Sequence, residues 1–157
     1  MRDLSVYARL EQLGLNIPDP PAKGGIYAKI KQTGNLVYTS GQGPMLNGKV
    51  VKEGKLGVEL TVEEGQEMAR IAVLNCLSVL EEGLGSLERI SQIVKILGFV
   101  NSGPGFNNQP LVINGASQLL LDLFGENGEH ARSAVGTNEL PLNFPVEIEM
   151  IVELSAD

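Results

Sequence analysis

Histidine, cysteine and aromatic residues are scarce in this chain of 157 residues. It has one histidine, His130, one cysteine, Cys76, and no tryptophan. A single cysteine excludes an intramolecular disulfide and any cluster of cysteine ligands, and a single histidine excludes a histidine-rich metal site. Aromatic residues make up only 4% of the chain, so the stacking platforms that bind single-stranded nucleic acid are poorly supplied.

Basic residues are also few, because 12 Lys and Arg stand against 19 Asp and Glu, which leaves a formal net charge of −7. Phosphate affinity comes from clustered Lys and Arg, so the composition argues against a nucleic-acid partner. No apolar run reaches the ~18 residues typical of a membrane helix. Residues 1–14 contain Asp3 and Glu11 and have no secretory apolar core. We therefore expect a cytoplasmic protein with a reduced thiol and no membrane association.

The chain has the size and composition of one globular domain, with 43% hydrophobic and 20% charged residues. Apolar spacing predicts a short amphipathic helix at residues 3–14. Prolines at positions 18, 20 and 21 then forbid a helix and make a stiff connector. We therefore expect an N-terminal helix and Pro-rich connector at residues 1–22, followed by a main domain at residues 23–157.

Two elements of the main domain have clear sequence signals. Thr61 and Glu64 have the spacing of a capping box at the start of a long helix at residues 61–82. Residues 93–100 are dense in β-branched side chains and apolar on both faces of the predicted strand, which indicates that a second subunit covers one face. The remaining predictions are a helix at 111–124 and strands at 26–31, 36–39, 49–51, 132–137 and 145–154. This order favours a two-layer α+β domain in which two helices cover one face of a mixed sheet.

Arg132 is the first candidate for chemistry. It lies near the start of a predicted strand, after a turn at residues 125–128. A guanidinium group can hold a carboxylate through two parallel hydrogen bonds. From the spacing alone, a surface arginine or a structural ion pair is the simpler alternative.

Glu147 and Glu149 share one face of the predicted last strand. Two carboxylates on one face can perform acid–base chemistry if burial raises the pKa of one of them. A solvated polar face beside an apolar one is the simpler alternative.

Four further features have a functional and a structural interpretation. The loop Ser40–Gly43 has the small residues that bring backbone N–H groups to an anion, and it also reads as a turn that ends a strand. Tyr27, in the predicted first strand, either lines a pocket or belongs to the core. Cys76 lies on an apolar helical stripe and is interpreted as an unreactive core thiol. His130 lies in a turn and is interpreted as a surface residue.

Several segments, taken in order, resemble the RidA/YjgF family of reactive-intermediate deaminases, also called the endoribonuclease L-PSP or chorismate mutase-like family. The resemblance covers about residues 24–154. It rests on Tyr27, Gly34–Gln42, the helix Gln66–Leu80 with its following strand, Ala131–Ser133, Leu140-Pro141 and Val146–Glu149.

The resemblance implies a chorismate mutase-like α+β fold and a homotrimer, in which sheets pack in a barrel-like core and clefts lie between neighbouring subunits. It also implies an activity without a cofactor or a metal. Family members with the arginine commonly hydrolyse small 2-imino acids and enamines, such as 2-iminobutanoate and 2-aminoacrylate, to 2-oxo acids and ammonia. The expected ligands are therefore small 2-imino and 2-oxo acids.

The resemblance also implies roles for individual residues. Arg132 matches the arginine that grips the substrate carboxylate, and Glu147 matches the glutamate that orients or activates the attacking water. The positions expected to shape the cleft and bind substrate are Tyr27, Ser40, Gly41, Asn114 and Ala134.

Two departures from the family pattern keep other functions open. Ala134 stands where many family deaminases have a cysteine, and the loop at residues 102–110 is longer and richer in Gly, Pro and Asn. A trimeric protein that binds small carboxylates without turnover is therefore an alternative. The endoribonuclease label is a second alternative, and the net charge of −7 argues against it.

Overall fold

The computed structural model of the protein describes residues 4–156. The helices are α1 (Val6–Gln12), α2 (Val62–Leu84) and α3 (Gln109–Phe124). The strands are β1 (Ile30–Thr33), β2 (Leu36–Thr39), β3 (Met45–Leu46), β4 (Lys49–Val50), β5 (Ile90–Asn101), β6 (Ala131–Thr137) and β7 (Val146–Leu154). Within the described part of the chain, none of the helices combines the length and apolar character needed to cross a bilayer.

One layer of the molecule is a five-stranded mixed sheet in the order β1-β2-β7-β5-β6. β5 and β6 run parallel, and the other neighbouring strands run antiparallel. β3 and β4 form a separate antiparallel hairpin. The predicted α+β class and the mixed sheet are therefore confirmed, whereas β3 was missed because two residues are too few to show an alternating pattern.

Helices α2 and α3 pack on one face of this sheet, as predicted. On that face the Sγ atom of Cys76 in α2 lies 3.2 Å from the carbonyl oxygen of Ile148 in β7. Gly98 in β5 faces Ile113 in α3 so closely that an added Cβ would lie 2.5 Å from its Cδ1 atom. The opposite sheet face has no helix among the described residues, and we call it the open face.

The start of α2 is confirmed at the level of individual hydrogen bonds. The Thr61 hydroxyl accepts from the Glu64 N–H at 3.2 Å, and the Glu64 carboxylate accepts from the Thr61 N–H at 2.9 Å. The predicted end at residue 82 is wrong, because the helix passes through Gly83 and ends at Leu84, with Gly85 as its C-cap at a φ of +87°. Gly83 is a packing position, since an added Cβ would lie 2.2 Å from Cδ1 of Ile30.

Helix α1 packs on its own chain. Val6 and Leu10 are buried in the same hydrophobic core as α2 and α3. The Tyr7 hydroxyl donates to the Glu81 carboxylate at 2.7 Å and accepts from the Leu87 N–H at 2.9 Å. The predicted helix at residues 3–14 is shorter than expected, and its first residue lies outside the described residues.

The first strand begins four residues later than predicted, so Tyr27 is in a loop. The backbone before β1 turns at Gly24, whose N–H donates to the Tyr27 hydroxyl at 3.0 Å. Ser40 holds the end of this segment, because its hydroxyl donates to the Ala28 carbonyl at 2.6 Å. The regular pairing of β1 with β2 ends at Ile30. Beyond it, the hydrogen bond from the Ser40 side chain holds the two segments together.

Strand β5 is longer than predicted and has two irregularities of register against β7. Its inward side chains, including Ile93, Ile96 and Val100, are buried under the helices. Leu97 and Phe99 point to the open face and are only partly buried. The two-sided apolar character of this strand is therefore real, and among residues 4–156 no helix covers the side that carries Leu97 and Phe99.

Candidate active site

The two glutamates of β7 lie on the open face, as their alternation predicted. The alternate residues of the same strand point the other way, and Val146, Ile148 and Met150 are buried under the helices. Glu147 is partly buried and Glu149 is exposed. Glu147 and Glu149 are therefore next to the partly buried apolar side chains of β5, and they do not form a fully solvated polar face.

Glu147 lines a cavity of about 630 Å³, within the range of small-molecule sites. Its walls come from the connector, the loop after β2 and the segment before β7. They include Tyr27, Ser40, Gly41, Leu142, Phe144 and Glu147. A larger cavity of about 720 Å³ lies beside α1, but none of the predicted site residues lines it. The residue chemistry therefore favours the cavity at Glu147.

Gly41 has a specific steric reason to be glycine. A Cβ added at this position would lie 2.7 Å from the Oε2 atom of Glu147. The carboxylate therefore rests directly against the backbone of the loop that follows β2, and the loop itself is held through Ser40. Together Tyr27, Ser40, Gly41 and Glu147 form what we call the glutamate half-site.

The environment of Glu147 changes its acidity. Burial raises the pKa of its carboxyl group above the ordinary value, because the charged form loses hydration. The nearby charge of Glu149 raises this pKa further. Glu147 thus keeps its proton to a higher pH than a solvated glutamate, which suits a group that takes up and returns a proton.

The second set of predicted residues surrounds Arg132 on β6. Its Nη1 atom donates to Oδ1 of Asn114 at 2.8 Å and to the Ser117 hydroxyl at 3.1 Å. Its Nη2 atom donates to the Pro110 carbonyl at 3.1 Å. Ala134, two residues further along β6, lies on the same side of the strand and packs on the core. We call Asn114, Arg132 and Ala134 the arginine half-site.

Arg132 keeps free donors after these three bonds. A guanidinium group has five N–H donors, and the bonds occupy both Nη1 hydrogens and one Nη2 hydrogen. Among residues 4–156, the Nε–H and the second Nη2–H have no hydrogen-bond partner. Nε and Nη2 form one edge of the guanidinium plane, which can bind both oxygens of a carboxylate.

A single chain does not bring Arg132 to Glu147. Arg132 is in register with Ile96, which is buried under the helices. Glu147 is in register with Phe99, which points to the open face. The two half-sites therefore lie on opposite faces of the same sheet.

The interpretation of His130 as a surface residue is wrong. It is partly buried, and its Nε2 atom lies 2.9 Å from the Ser117 hydroxyl oxygen. Sequence analysis also missed Ser117 itself and the Pro110 carbonyl. A signal was available, because Asn114 and Ser117 are three residues apart on one helix and therefore share a face.

Two other kinds of chemical group are clusters of possible metal ligands and the single thiol of the chain. Within residues 4–156, no group of three or more His, Cys, Asp or Glu side chains comes together. Cys76 is fully buried, and burial raises the pKa of its thiol to about 12. The interpretation of Cys76 as a core residue is confirmed, and its low reactivity stays a prediction.

Comparison with known proteins agrees with the fold. A model of the family described as "YjgF/chorismate_mutase-like, putative endoribonuclease" matches residues 7–154. Protein TCP17 of Trypanosoma cruzi is 42% identical over 151 residues, covering 96% of this chain and 94% of that protein. A 2-iminobutanoate/2-iminopropanoate deaminase of Dermatophagoides farinae is 32% identical over 138 residues, covering 88% and 93% respectively. The crystal structure of Atu1372 from Agrobacterium tumefaciens, of unknown function, has a TM-score of 0.89 at 41% identity, covering 96% of this chain and 92% of that chain.

The fold thus defines an α+β protein whose helices cover one face of a mixed sheet. The match over almost the whole chain shows that it belongs to the YjgF/chorismate mutase-like family. The resemblance seen in the sequence is confirmed.

Proposed function

We propose that this protein hydrolyses small 2-imino acids, and the enamines that tautomerise to them, to 2-oxo acids and ammonia. The observation that carries this proposal is the arginine half-site, where Arg132 is held by three bonds and keeps an Nε–H and an Nη2–H donor for a carboxylate. The relative named as an imine deaminase, at 32% identity, supports it.

The reaction needs a base and an electrophilic carbon in fixed positions. In our proposal Arg132 binds the substrate carboxylate, which fixes the adjacent C=N carbon. Glu147 takes a proton from water as the water oxygen adds to that carbon, and it returns this proton to the nitrogen, which gives a carbinolamine. Glu147 then transfers the proton of the new hydroxyl group to the nitrogen, so that the C–N bond breaks, ammonia leaves and a 2-oxo acid remains. Water supplies the oxygen, so the atoms balance without a cofactor.

We further propose that the complete site forms between subunits of a homotrimer. The two half-sites lie on opposite faces of one sheet, so one chain cannot supply both to a small substrate. A neighbouring copy that covers the open face also buries Leu97 and Phe99, which one chain leaves partly exposed. Within this cleft, Tyr27 and the loop Ser40–Gly41 would shape the space for the substrate.

The test is a coupled assay in which threonine dehydratase generates 2-iminobutanoate and the decay of the intermediate is followed. We expect the wild type to accelerate decay. Arg132→Ala should raise KM by about 10- to 100-fold, because a bidentate charged contact is lost. Glu147→Gln should lower kcat by about 100-fold or more, because the base is lost.

Glu153→Gln is the matched control, since Glu153 lies on the same face of β7 but does not line the cavity. Its kinetics should match the wild type within about threefold, a change of under 1 kcal/mol. No acceleration by the wild type at any protein concentration would contradict the proposed deaminase.

A second candidate is a protein that binds small carboxylates without turnover, and Ala134 favours it because no thiol is present at that position. In that case 2-oxobutanoate would raise the melting temperature of the wild type but not of Arg132→Ala, with no decay of the imine. Cleavage of RNA by repurified protein would support instead the endoribonuclease function in the family name.

A further inference from the structure

The contacts of Arg132 extend beyond the residues that touch it. The Ser117 hydroxyl that accepts from Arg132 also lies 2.9 Å from Nε2 of His130. The Nδ1 atom of His130 lies 2.6 Å from the Gly128 carbonyl oxygen. Three side chains and one carbonyl therefore form a continuous chain of hydrogen bonds that ends on the backbone.

The chemistry of each partner sets the direction of every bond in this chain. A carbonyl oxygen only accepts, so Nδ1 of His130 carries the hydrogen, and in the neutral form of the ring Nε2 is then an acceptor. Ser117 then donates its hydroxyl hydrogen to Nε2. Its oxygen lone pairs remain for Arg132, whose N–H groups only donate. With a neutral ring, every hydrogen bond in this series therefore has one direction, and no two members compete for a hydrogen.

The far end of the chain is a rigid point. Gly128 is buried, and an added Cβ would lie 2.2 Å from the Leu120 carbonyl oxygen of α3. The turn that carries this carbonyl is therefore pressed against the same helix that carries Ser117. Both ends of this series of hydrogen bonds therefore contact α3.

We propose that Ser117 and His130 are positioning residues that hold the Arg132 guanidinium in the orientation that receives the substrate carboxylate. The inference rests on the proposed function for its kinetic consequence, but not for its structural one. Asn114 and the Pro110 carbonyl hold two other hydrogens of the guanidinium. Ser117 and His130 hold a third hydrogen, so that the guanidinium is already oriented before the substrate binds.

The first test uses the only histidine of the chain, which gives one set of ring signals in nitrogen NMR. Long-range proton–nitrogen correlation at alkaline pH should show the hydrogen on Nδ1 and a bare Nε2 in the wild type. A hydrogen on Nε2 would overturn the inference, because Ser117 could then not donate to the ring.

The second test measures the order of the Arg132 Nε–H bond by NMR relaxation, with its signal assigned by its loss in Arg132→Lys. We expect a rigid bond in the wild type and in Ser117→Thr, which keeps the hydroxyl. Ser117→Ala and His130→Ala should make it mobile. Gln118→Ala, at the next and exposed position of α3, is the control and should leave it rigid.

The third test is kinetic. Ser117→Ala should raise KM for 2-iminobutanoate about tenfold with kcat nearly unchanged, while Ser117→Thr restores KM. The double variant Ser117→Ala/His130→Ala should be no worse than either single variant, because both act through one chain. Additive losses, or equal losses in Ser117→Ala and Gln118→Ala, would contradict the inference.

The two proposals fail in different ways. A wild type that neither turns over nor binds 2-oxo acids refutes the proposed function, and the order of the Nε–H bond still decides the role of Ser117 and His130. A rigid Nε–H bond in Ser117→Ala refutes the positioning role even if the wild type is an active deaminase.

Discussion

The raised pKa of Glu147 suits the proposed proton transfer and lowers the stability of the folded protein at neutral pH. Its pKa is raised in the folded protein by burial and by Glu149, so the folded state binds its proton more tightly than the unfolded chain does. The contribution of Glu147 to stability therefore falls as pH rises from the ordinary glutamate pKa through the raised pKa. At neutral pH, Glu147→Gln should be at least as stable as the wild type in thermal unfolding.

The charge of Glu149 should be visible in the pH dependence of the proposed reaction. Glu149→Gln removes a negative charge that raises the pKa of Glu147, so we expect the acid limb of the pH–rate profile to move to lower pH. The profile of kcat/KM for 2-iminobutanoate measures this shift. Glu153→Gln should leave the limb in place, and an unmoved limb in Glu149→Gln would refute Glu147 as the titrating base.

Cys76 gives a prediction that does not depend on function. Its thiol is fully buried with a pKa of about 12, so almost no accessible thiolate exists at pH 8. We expect no reaction with a disulfide reagent over hours in the native protein and one equivalent of reaction in denaturant. Rapid reaction of the native protein would show that α2 opens locally.

At the scale of elements, the approach of α2 to α3 depends on Gly115. A Cβ at this position would lie 2.3 Å from the backbone carbonyl oxygen of Gln66, which cannot turn away as a side chain could. The same pair of helices is tied by a hydrogen bond from the Gln66 side chain to the Leu111 carbonyl at 2.8 Å. The position of Asn114 beside Arg132 therefore depends on this close contact.

Gly115→Ala should force the helices apart and destabilise the protein by about 1–3 kcal/mol, as overpacking usually does. Urea unfolding followed by circular dichroism measures the change. Gln118→Ala on the same helix should change the unfolding free energy by less than about 0.5 kcal/mol. Equal stability of Gly115→Ala and the wild type would show that the helix pair is looser than its geometry indicates.

At the scale of the whole molecule, the open face is the surface that the proposed trimer would bury. Leu97 and Phe99 lie on this face beside Ile151 of the neighbouring strand β7, which is also only partly buried. A small domain leaves such a patch uncovered mainly where a partner binds. The proposed trimer assigns that partner to a second copy of the chain.

Leu97→Lys should convert a trimer of about 50 kDa, three times 16.8 kDa, into a monomer that keeps its circular dichroism spectrum. The lysine is tolerated in one chain because Leu97 is in register with Glu149. Sedimentation velocity measures the mass, and deaminase activity should be lost with the trimer. Leu121→Lys, on the exposed surface of α3, should remain trimeric. A monomeric wild type would contradict the proposal.

Short-range patterns predicted most of the elements and some site positions. The capping pair Thr61 and Glu64 and the shared face of Glu147 and Glu149 were correct, because both depend on residues two or three positions apart. The end of α2 was wrong because Gly83 makes a tertiary contact with Ile30, 53 positions away in the chain. The loop position of Tyr27 also depends on distant bonds around Ser40.

The hydrogen-bond partners of Arg132 could not be predicted from the sequence, because they lie on a different element, α3. Its partner Asn114 is 18 positions away, and Ser117 is 15 positions away. No local periodicity relates the start of a strand to one face of a preceding helix. His130 was misread for the same reason, since only the packing of the turn against α3 brings it to Ser117.

The amino-acid order alone was sufficient for the α+β class, because local spacing carries that information, and for the family, because the resembling segments occur in the family's order. The roles of Arg132 and Glu147 follow from that resemblance and stay predictions. The placement of Arg132 and Glu147 on opposite faces of one sheet came from the strand order and register. Strand pairing joins residues far apart in the chain, and the side-chain period of two means that register decides which face each residue occupies.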